Sequence, residues 1–285
     1  MSKPDHICPP HGGSFTHFYS DPHFGHRNII EYCKRPFEDV EQMNCELVAN
    51  YNTLVTHGDF VLWCGDVSFM KAEPTTDVLS QMNGRKAIVL GNHDRSAKWY
   101  LDRGFEFAER QVRFEIDSQP VIACHYPEAG HDEDQRRMSE RPRRGPGEWL
   151  IHGHTHSRRR RRGMSVHVGV DAWNYHPAPV DMIKRLMRFD PSRLPGVLLD
   201  VEQGVAGARC ENPVAHGDCG WPIVETRDKW KIKIFVDCGE FDYIEEVEDP
   251  LGNRFEFDDI VHTEFDYRVR DVANHPSWGP LLLEP

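Results

Sequence analysis

The sequence predicts an α/β protein that ends in a small β-rich module. Five short apolar runs, each followed by Asp, Asn or His, indicate buried strands with polar side chains at their ends. Helical or loop crossovers separate these runs, and such alternation is typical of an α/β sheet. Beyond Pro191 the pattern changes: residues 231–236 alternate polar and apolar side chains with the period of a strand, and residues 241–247 and 255–269 are strand-like too.

The first apolar run, residues 17–20, is followed by Asp21 and His23. On an extended chain, residues two apart point to the same side. A carboxylate and an imidazole on one side can bind a divalent ion from two directions. The alternative is a turn in which Asp21, followed by proline, caps a helix. Residues 1–13 lack a periodic pattern, and we expect them to form a flexible N-terminal arm.

The next segments predict a helix, a strand and a second helix. Residues 40–54 repeat apolar side chains at helical spacing. The apolar run 60–64 then predicts a buried strand that ends in Gly65 and Asp66. A second helix is predicted at residues 76–82.

The strand predicted at residues 87–90 leads into Gly91, where the backbone can turn tightly. Asn92, His93 and Asp94 follow the turn directly. One interpretation is an ordinary loop in which Asn and Asp satisfy turn backbone. The other is a ligand site, because ligands bind at the carboxyl ends of strands in open α/β sheets.

Two further runs, residues 121–124 and 149–152, lead into His125 and into the pair His154 and His156. A lone histidine after a strand is usually structural. Polar side chains after all five predicted strands instead indicate one common site.

The strand ends together supply two carboxylates, one amide and four imidazoles: Asp21, His23, Asp66, Asn92, His125, His154 and His156. One zinc ion takes about four ligands, so this set fits two ions that share a ligand. Asp66 is the natural bridge, because a carboxylate has two oxygens to divide between two ions. Two-metal centres hold their ions roughly 3.5–4 Å apart and suit in-line displacement at phosphorus.

These motifs resemble, in order and approximate spacing, those of the calcineurin-like metallophosphoesterases. They are Asp21-x-His23, Gly65-Asp66, Gly91-Asn92-His93-Asp94, His125 and Gly153-His154-Thr155-His156. The resemblance covers about residues 14–190 and implies a four-layer α/β/β/α sandwich with the site at its loop edge.

The resemblance also implies roles for individual residues. One metal would be held by Asp21, His23, Asp66 and His156, and the other by Asp66, Asn92, His125 and His154. His93 would be the acid that protonates the leaving oxygen. Further details resemble a branch found in bacteria and phages: residues 21–26, 28–30, 35–37 and 168–173.

The sequence departs from the family pattern directly after Asp66. Residues 67–70 stand where protein phosphatases carry a second Asp and an Arg-Gly pair, which argues against a phosphoprotein phosphatase. The usual orienting partner of the acid histidine is therefore missing. Asp94 is expected either to orient His93 or to cap the following helix. Arg95 is expected either to contact the substrate phosphate or to remain in solvent.

Ten arginines flank the His154/His156 segment: Arg136, Arg137, Arg141, Arg143, Arg144 and Arg158 through Arg162. They form either a solvated loop and hairpin or a positive rim that attracts phosphate-rich substrates. No aromatic residues are interleaved with them, so stacking of bases is not supported.

The remaining charge lies near the C-terminus. The formal net charge is -12, with 25 basic and 26 acidic residues in 1–190, against 9 and 20 in 191–285. This shift indicates a second module, residues 196–285, and argues against a general nucleic-acid coat protein. Within the module, Cys210, His216, Cys219 and Cys238 are candidate zinc ligands, although no Cys-x-x-Cys spacing is present.

The sequence thus predicts a cytoplasmic, metal-dependent phosphoesterase with no membrane segment. It would use two divalent ions, manganese first and then iron, nickel or zinc. A metal-bridging hydroxide would attack a phosphate ester, foremost a nucleotide phosphodiester or another small phosphorylated molecule. The alternatives are a nuclease on single-stranded or terminal nucleic acid and a non-catalytic binding module. The C-terminal module is a candidate surface for homo-oligomer formation.

Overall fold

The computed structural model describes residues 14–128, 140–188, 193–204, 206–215, 218–238, 240–250, 254–256 and 278–282. They form two compact units, one up to Lys184 and one from Arg185 onward. In the described part of the chain, no helix combines the length and apolar character needed to cross a bilayer.

The described helices are α1 (Arg27–Tyr32), α2 (Val40–Leu54), α3 (Ala72–Ser80), α4 (Ala97–Leu101), α5 (Val180–Arg188), α6 (Leu194–Glu202) and α7 (Trp278–Leu282). The strands of the first unit are β1 (His17–Tyr19), β2 (Phe60–Trp63), β3 (Arg85–Val89), β4 (Phe105–Glu109), β5 (Gln111–Ile116), β6 (Gln119–Cys124), β7 (Trp149–His152), β8 (Arg161–Arg162), β9 (Ser165–His167) and β10 (Ala178–Pro179). Those of the second unit are β11 (Arg209–Glu211), β12 (Ile223–Glu225), β13 (Lys231–Asp237), β14 (Glu240–Glu248) and β15 (Arg254–Glu256).

The first sheet has the strand order β10-β1-β2-β3-β4. Its strands β1 to β4 run parallel to one another, and β10 is antiparallel to β1. The carboxyl ends of parallel strands meet at one edge of a sheet. The segments that carry Asp21, Asp66 and Asn92 therefore leave the sheet at the same edge.

The second sheet has the order β5-β6-β7-β9-β8, in which β6, β7 and β9 are parallel. β6 leads into His125, and β7 leads into His154 and His156. A bridge between Ser20 and Gly169 joins the ends of β1 and β9. The ligand-bearing ends of both sheets are thereby brought to one place.

Helices and the second sheet cover opposite faces of the first sheet. On one face, Met43, Leu47 and Tyr51 of α2 join a buried cluster that includes Trp63 of β2. On the other face, the rings of Phe15 and Phe18 lie 5.1 and 6.0 Å from that of Phe114 in β5. The predicted α/β class is confirmed, with a parallel sheet, helices and a second sheet.

The second unit contains an antiparallel sheet in the order β11-β12-β13-β14-β15. Burial along β13 alternates strictly, with Ile232, Ile234 and Val236 buried. The predicted β-rich character of the C-terminal region is therefore confirmed. The strand predicted at residues 255–269 lies largely outside the described residues, which include only Arg254–Glu256 there.

Some elements differ from the sequence prediction. The helix predicted at residues 76–82 is α3, which begins at Ala72 because Pro74 is tolerated in a first helical turn. The hairpin of β5 and β6 was not predicted. Its turn residues Asp117 and Ser118 have φ of 48° and 64°, a conformation that the pattern of apolar residues does not reveal.

Candidate metal centre

Six of the seven predicted ligands form two groups of three, in each of which the ligand atoms lie within 4.8 Å of one another. The first ligand cluster is Asp21, His23 and His156, and the second ligand cluster is Asp66, His125 and His154. Asp66 Oδ2 lies 3.7 Å from His23 Nε2 and 3.5 Å from His125 Nε2. One carboxylate oxygen therefore lies between the two clusters.

In the second ligand cluster, a backbone contact fixes the tautomer of His125. Its Nδ1 donates to the carbonyl of Cys64 at 2.8 Å, which leaves a lone pair on Nε2. That Nε2 lies 3.1 Å from Asn92 Oδ1 and 3.5 Å from Asp66 Oδ2. The lone pairs of these atoms converge on one point, where a cation could bind all of them. These side chains therefore fit a divalent ion. Asn92, the seventh predicted ligand, thus joins this cluster.

In the first ligand cluster, Asp171 plays the same part for His156. The imidazole Nδ1 donates to Asp171 Oδ2 at 2.9 Å, and Nε2 lies 3.2 Å from Nε2 of His23. Burial alone would lower the pKa of His156, but the hydrogen bond to Asp171 raises it to about 10. The Nδ1 proton is thus held by Asp171, and Nε2 is the atom turned toward His23.

Arg35 stabilises this contact between Asp171 and His156. Its Nε and Nη2 donate to the two oxygens of Asp171 at 2.8 and 2.9 Å. It also donates to the carbonyls of Asp21 and Pro22 at 2.8 and 3.0 Å. Although burial opposes ionisation, the hydrogen bonds from His156 and Arg35 lower the pKa of Asp171 to about 2.

Sequence reasoning did not assign Arg35 and Asp171 to the site. The only signal was that both fall within segments 35–37 and 168–173, which resemble one branch of the family. Their pairing spans 136 residues of sequence and became visible only in the fold.

The backbone at five of the ligands is left-handed: Asp21, His23, Asp66, His154 and His156 have φ between 50° and 72°. This conformation costs a residue other than glycine about 1–2 kcal/mol. Such strain is retained where the surrounding structure over-determines it, often at functional sites. Space is also tight, because a Cβ at Gly91 or Gly153 would overlap the carboxylates of Asp66 or Asp21.

Burial disfavours the charged form of the two carboxylates in the centre. It raises the pKa of Asp21 to about 6 and that of Asp66 to about 7, where Asp94 contributes further. Both carboxylates are nearly inaccessible to solvent. A bound cation favours the ionised form of such groups.

His93 lies at the exposed mouth of the centre. Its ring centroid is 4.6 Å from that of Phe69 and 5.8 Å from that of His23. Its backbone nitrogen donates to Asp66 Oδ1 at 2.9 Å. Phe69, which belongs to the segment that departs from the family pattern, therefore packs against the predicted acid.

Asp94 does not cap the helix that follows it, so that expectation is wrong. Ser96 is the N-cap of α4. The Asp94 carboxylate instead accepts four hydrogen bonds: from the backbone nitrogens of Asp66, Val67 and Gly91 and from the Tyr100 hydroxyl. A carboxylate has about four acceptor positions, so these donors leave none for His93. Asp94 holds the loops after β2 and β3 together.

Arg95 is half-buried and has protein partners. Its Nη2 donates to the carbonyl of Met70 at 2.7 Å, and its guanidinium lies 5.1 Å from the Trp99 ring centroid. A role in contacting the substrate phosphate stays a prediction.

Several of the ten arginines also have structural partners. Arg141 is buried and donates to two backbone carbonyls, and Arg144 pairs with Glu128. Arg160 and Arg161 lie over the rings of Trp173 and Trp149. Arg143, Arg158 and Arg162 are exposed, and Arg136 and Arg137 lie outside the described residues.

Among the described candidate zinc ligands of the C-terminal module, Cys210 lies apart from Cys219 and Cys238, whose sulfurs are 4.0 Å apart. Cys210 pairs with Val224 of β12, and Val224 pairs in turn with Ile232 near the start of β13. Cys219 lies instead beside Asp237, at the other end of β13. Five residues of strand separate these positions, or roughly 17 Å. His216 lies outside the described residues.

Comparison with known proteins matches residues 19–170 to the calcineurin-like phosphoesterase superfamily domain. An uncharacterised protein of Methanocaldococcus jannaschii is 31% identical over 177 residues, which cover 59% of this chain and 88% of that protein. The gene 66 protein of Mycobacterium phage L5 is 30% identical over 186 residues, which cover 56% of this chain and 88% of that protein.

Among solved structures, a protein of unknown function from Aquifex aeolicus is similar at a TM-score of 0.49 and 23% identity. The match covers 60% of this chain and 97% of that one. The family domain ends at residue 170, before the second unit begins at Arg185.

Proposed function

The chain belongs to the calcineurin-like phosphoesterase superfamily, and from this we propose that it hydrolyses phosphate esters with two divalent metal ions. One observation carries the proposal. Asp66 Oδ2 lies between two clusters of metal-ligating side chains, 3.7 Å from His23 Nε2 and 3.5 Å from His125 Nε2. A carboxylate placed there can be shared by two ions held roughly 3.5–4 Å apart.

The residues divide between the two ions as the family resemblance implies. Asp21, His23 and His156 with Asp66 would hold one ion, and Asn92, His125 and His154 with Asp66 would hold the other. The ions would lower the pKa of a water to supply the nucleophile and would neutralise the phosphoryl oxygens. Manganese is the first candidate, because carboxylate and amide oxygens complement the imidazoles in this set.

His93 is proposed as the general acid for the leaving group. It is the exposed imidazole at the mouth of the centre, and Phe69 packs against its ring at 4.6 Å. A leaving alkoxide needs a proton as the bond to phosphorus breaks, and a positioned histidine supplies it.

A nucleotide phosphodiester is the proposed substrate. Arg143, Arg158 and Arg162 are exposed on the segments that flank the His154/His156 loop. Their positive charge favours substrates with more than one anionic group near the reacting phosphate.

The test is a screen of the manganese-loaded protein against four substrate types. These are bis-p-nitrophenyl phosphate, p-nitrophenyl phosphate, cyclic nucleotides and oligonucleotides. We expect hydrolysis of the diesters to exceed that of the monoester, with Asp66→Asn as the inactive control. Preferred cleavage of oligonucleotides would make the protein a nuclease. Protein that holds two ions and hydrolyses none of the four would refute the proposal.

A further inference from the structure

A second group of metal-ligating side chains lies in the C-terminal unit, at one end of its sheet. Cys219 Sγ is 4.0 Å from Cys238 Sγ and 2.8 Å from Asp237 Oδ1. The ligand atoms of all three residues lie within 4.8 Å of one another. The group is exposed and is separate in sequence from the ligands of the first unit.

Backbone pairing fixes the two segments that carry these side chains. Gly220 and Val236 exchange reciprocal N–H···O bonds, both of 2.9 Å. This antiparallel bridge places Cys219 opposite Asp237, the last residue of β13. Cys238 follows with φ of 48°, a left-handed conformation that is uncommon for cysteine. The chain therefore turns sharply where the second thiol joins the first.

The separations suit a soft divalent ion. Zinc binds thiolates at about 2.3 Å, and two thiolates on a tetrahedral ion are then roughly 3.8 Å apart. The observed separation of the Cys219 and Cys238 sulfurs, 4.0 Å, is close to that value. A disulfide would instead require the sulfurs to approach to about 2.05 Å.

We propose that Cys219, Asp237 and Cys238 form a binding site for zinc or a chemically similar divalent ion. Two thiolates and one carboxylate supply three ligands and leave the fourth position open to solvent. Binding displaces the two thiol protons to solvent, because the thiolate is the ligand. The ion would tie the segment before β12 to the end of β13.

The test is titration of the reduced full-length protein with Co²⁺, followed by competition with Zn²⁺. Thiolate ligation to Co²⁺ gives a near-ultraviolet charge-transfer absorption, which imidazole and carboxylate ligands in the first unit do not produce. We expect Co²⁺ to produce this band with an intensity that corresponds to one thiolate site per chain, Zn²⁺ to remove it and both thiols to become protected from alkylation. The experiment does not depend on phosphoesterase activity.

Matched variants locate the site. Cys219→Ser and Cys238→Ser should each weaken metal binding by more than roughly 100-fold, which exceeds the usual cost of losing an outer-shell partner. Asp237→Asn should weaken it by a smaller factor and retain the band. Cys210→Ser, in the same sheet, and Cys45→Ser, an exposed thiol on α2, should leave the titration unchanged. Circular dichroism checks that each variant is folded.

Four results would overturn the proposal. The reduced protein could lack the band, or the band could persist in both Cys219→Ser and Cys238→Ser. A band lost only in Cys33→Ser would place the thiolate beside His156 and Asp171 instead. Formation of a Cys219–Cys238 disulfide in the presence of excess Zn²⁺, detected by mass spectrometry, would assign the pair to redox chemistry.

Discussion

At the scale of single residues, the centre depends on imidazoles whose second nitrogen is already engaged. His125 donates Nδ1–H to the Cys64 carbonyl, and His156 donates Nδ1–H to Asp171. In both cases Nε2 is the nitrogen turned into the centre, where a bound ion would take the place of any proton on it. Holding the tautomer in this way raises ligand basicity and fixes ring orientation.

His93 differs from these imidazoles because it is exposed and packs only against the edge of the centre. We expect His93→Asn to leave both ions bound and to lower turnover by roughly 10²–10⁴-fold, the usual cost of losing a general acid. The loss should be much smaller for nitrophenyl esters than for alkyl esters, because nitrophenolate leaves without a proton. Steady-state kinetics on both ester types measure this, and equal losses would contradict the role.

At the scale of elements, loops that follow parallel strands place the ligands, and side chains outside the ligand set hold those loops. Asp94 joins the loops after β2 and β3 through three backbone nitrogens. Arg35 and Asp171 join the loop after β1 to the turn after β9. Both carboxylates therefore act by positioning the chain.

Asp171→Asn tests the second of these links. The amide keeps the shape of Asp171 but loses the charge that pairs with Arg35 and orients His156. We expect metal affinity at the first ligand cluster to fall by about 10–100-fold, as for other outer-shell partners. Isothermal titration with Mn²⁺ measures the change.

Asp181→Asn is the matched control, because the Asp181 side chain is 82% exposed and its ion pair with Lys184 spans 3.7 Å. Metal affinity unchanged in Asp171→Asn would show that Arg35 or packing alone orients His156.

At the scale of the first unit, the candidate centre is built from both sheets. The first sheet supplies Asp21, His23, Asp66 and Asn92, and the second supplies His125, His154 and His156. The His154 backbone nitrogen already donates to both oxygens of Asp21, at 3.2 and 3.0 Å. Ions bound there would add further links between the sheets, so metal binding and folding are expected to be coupled.

Removing metal should therefore destabilise the first unit. An ion that binds only the folded state adds about 2.7 kcal/mol at a concentration 100-fold above its dissociation constant. We expect a chelator to lower the melting temperature of the wild-type protein by several degrees and to have little effect on Asp66→Asn, in which the shared ligand is lost.

Without metal, Asp66→Asn should be at least as stable as the wild type, because burial disfavours the Asp66 carboxylate and raises its pKa to about 7. Calorimetry with and without chelator measures both effects. A wild-type protein insensitive to chelator would argue against ions that join the sheets.

The sequence by itself determined the fold class, both end residues of helix α2 and the seven side chains that converge at the candidate centre. These features follow from local signals: apolar periodicity, a glycine that ends a strand and polar residues directly after it. Parallel strands then bring such ends together whatever the crossovers contain.

Only the tertiary structure decided the partners of these residues. The pairing of Arg35 with Asp171 joins positions 136 apart, and Asp94 binds backbone nitrogens 27 and 28 residues away instead of its own helix. Cys219 and Cys238 meet because of a single bridge beyond the regular strands, while Cys210 lies elsewhere in the same sheet. Such contacts depend on strand register and loop path. No periodicity in the sequence encodes either, since each is set by the packing of distant segments.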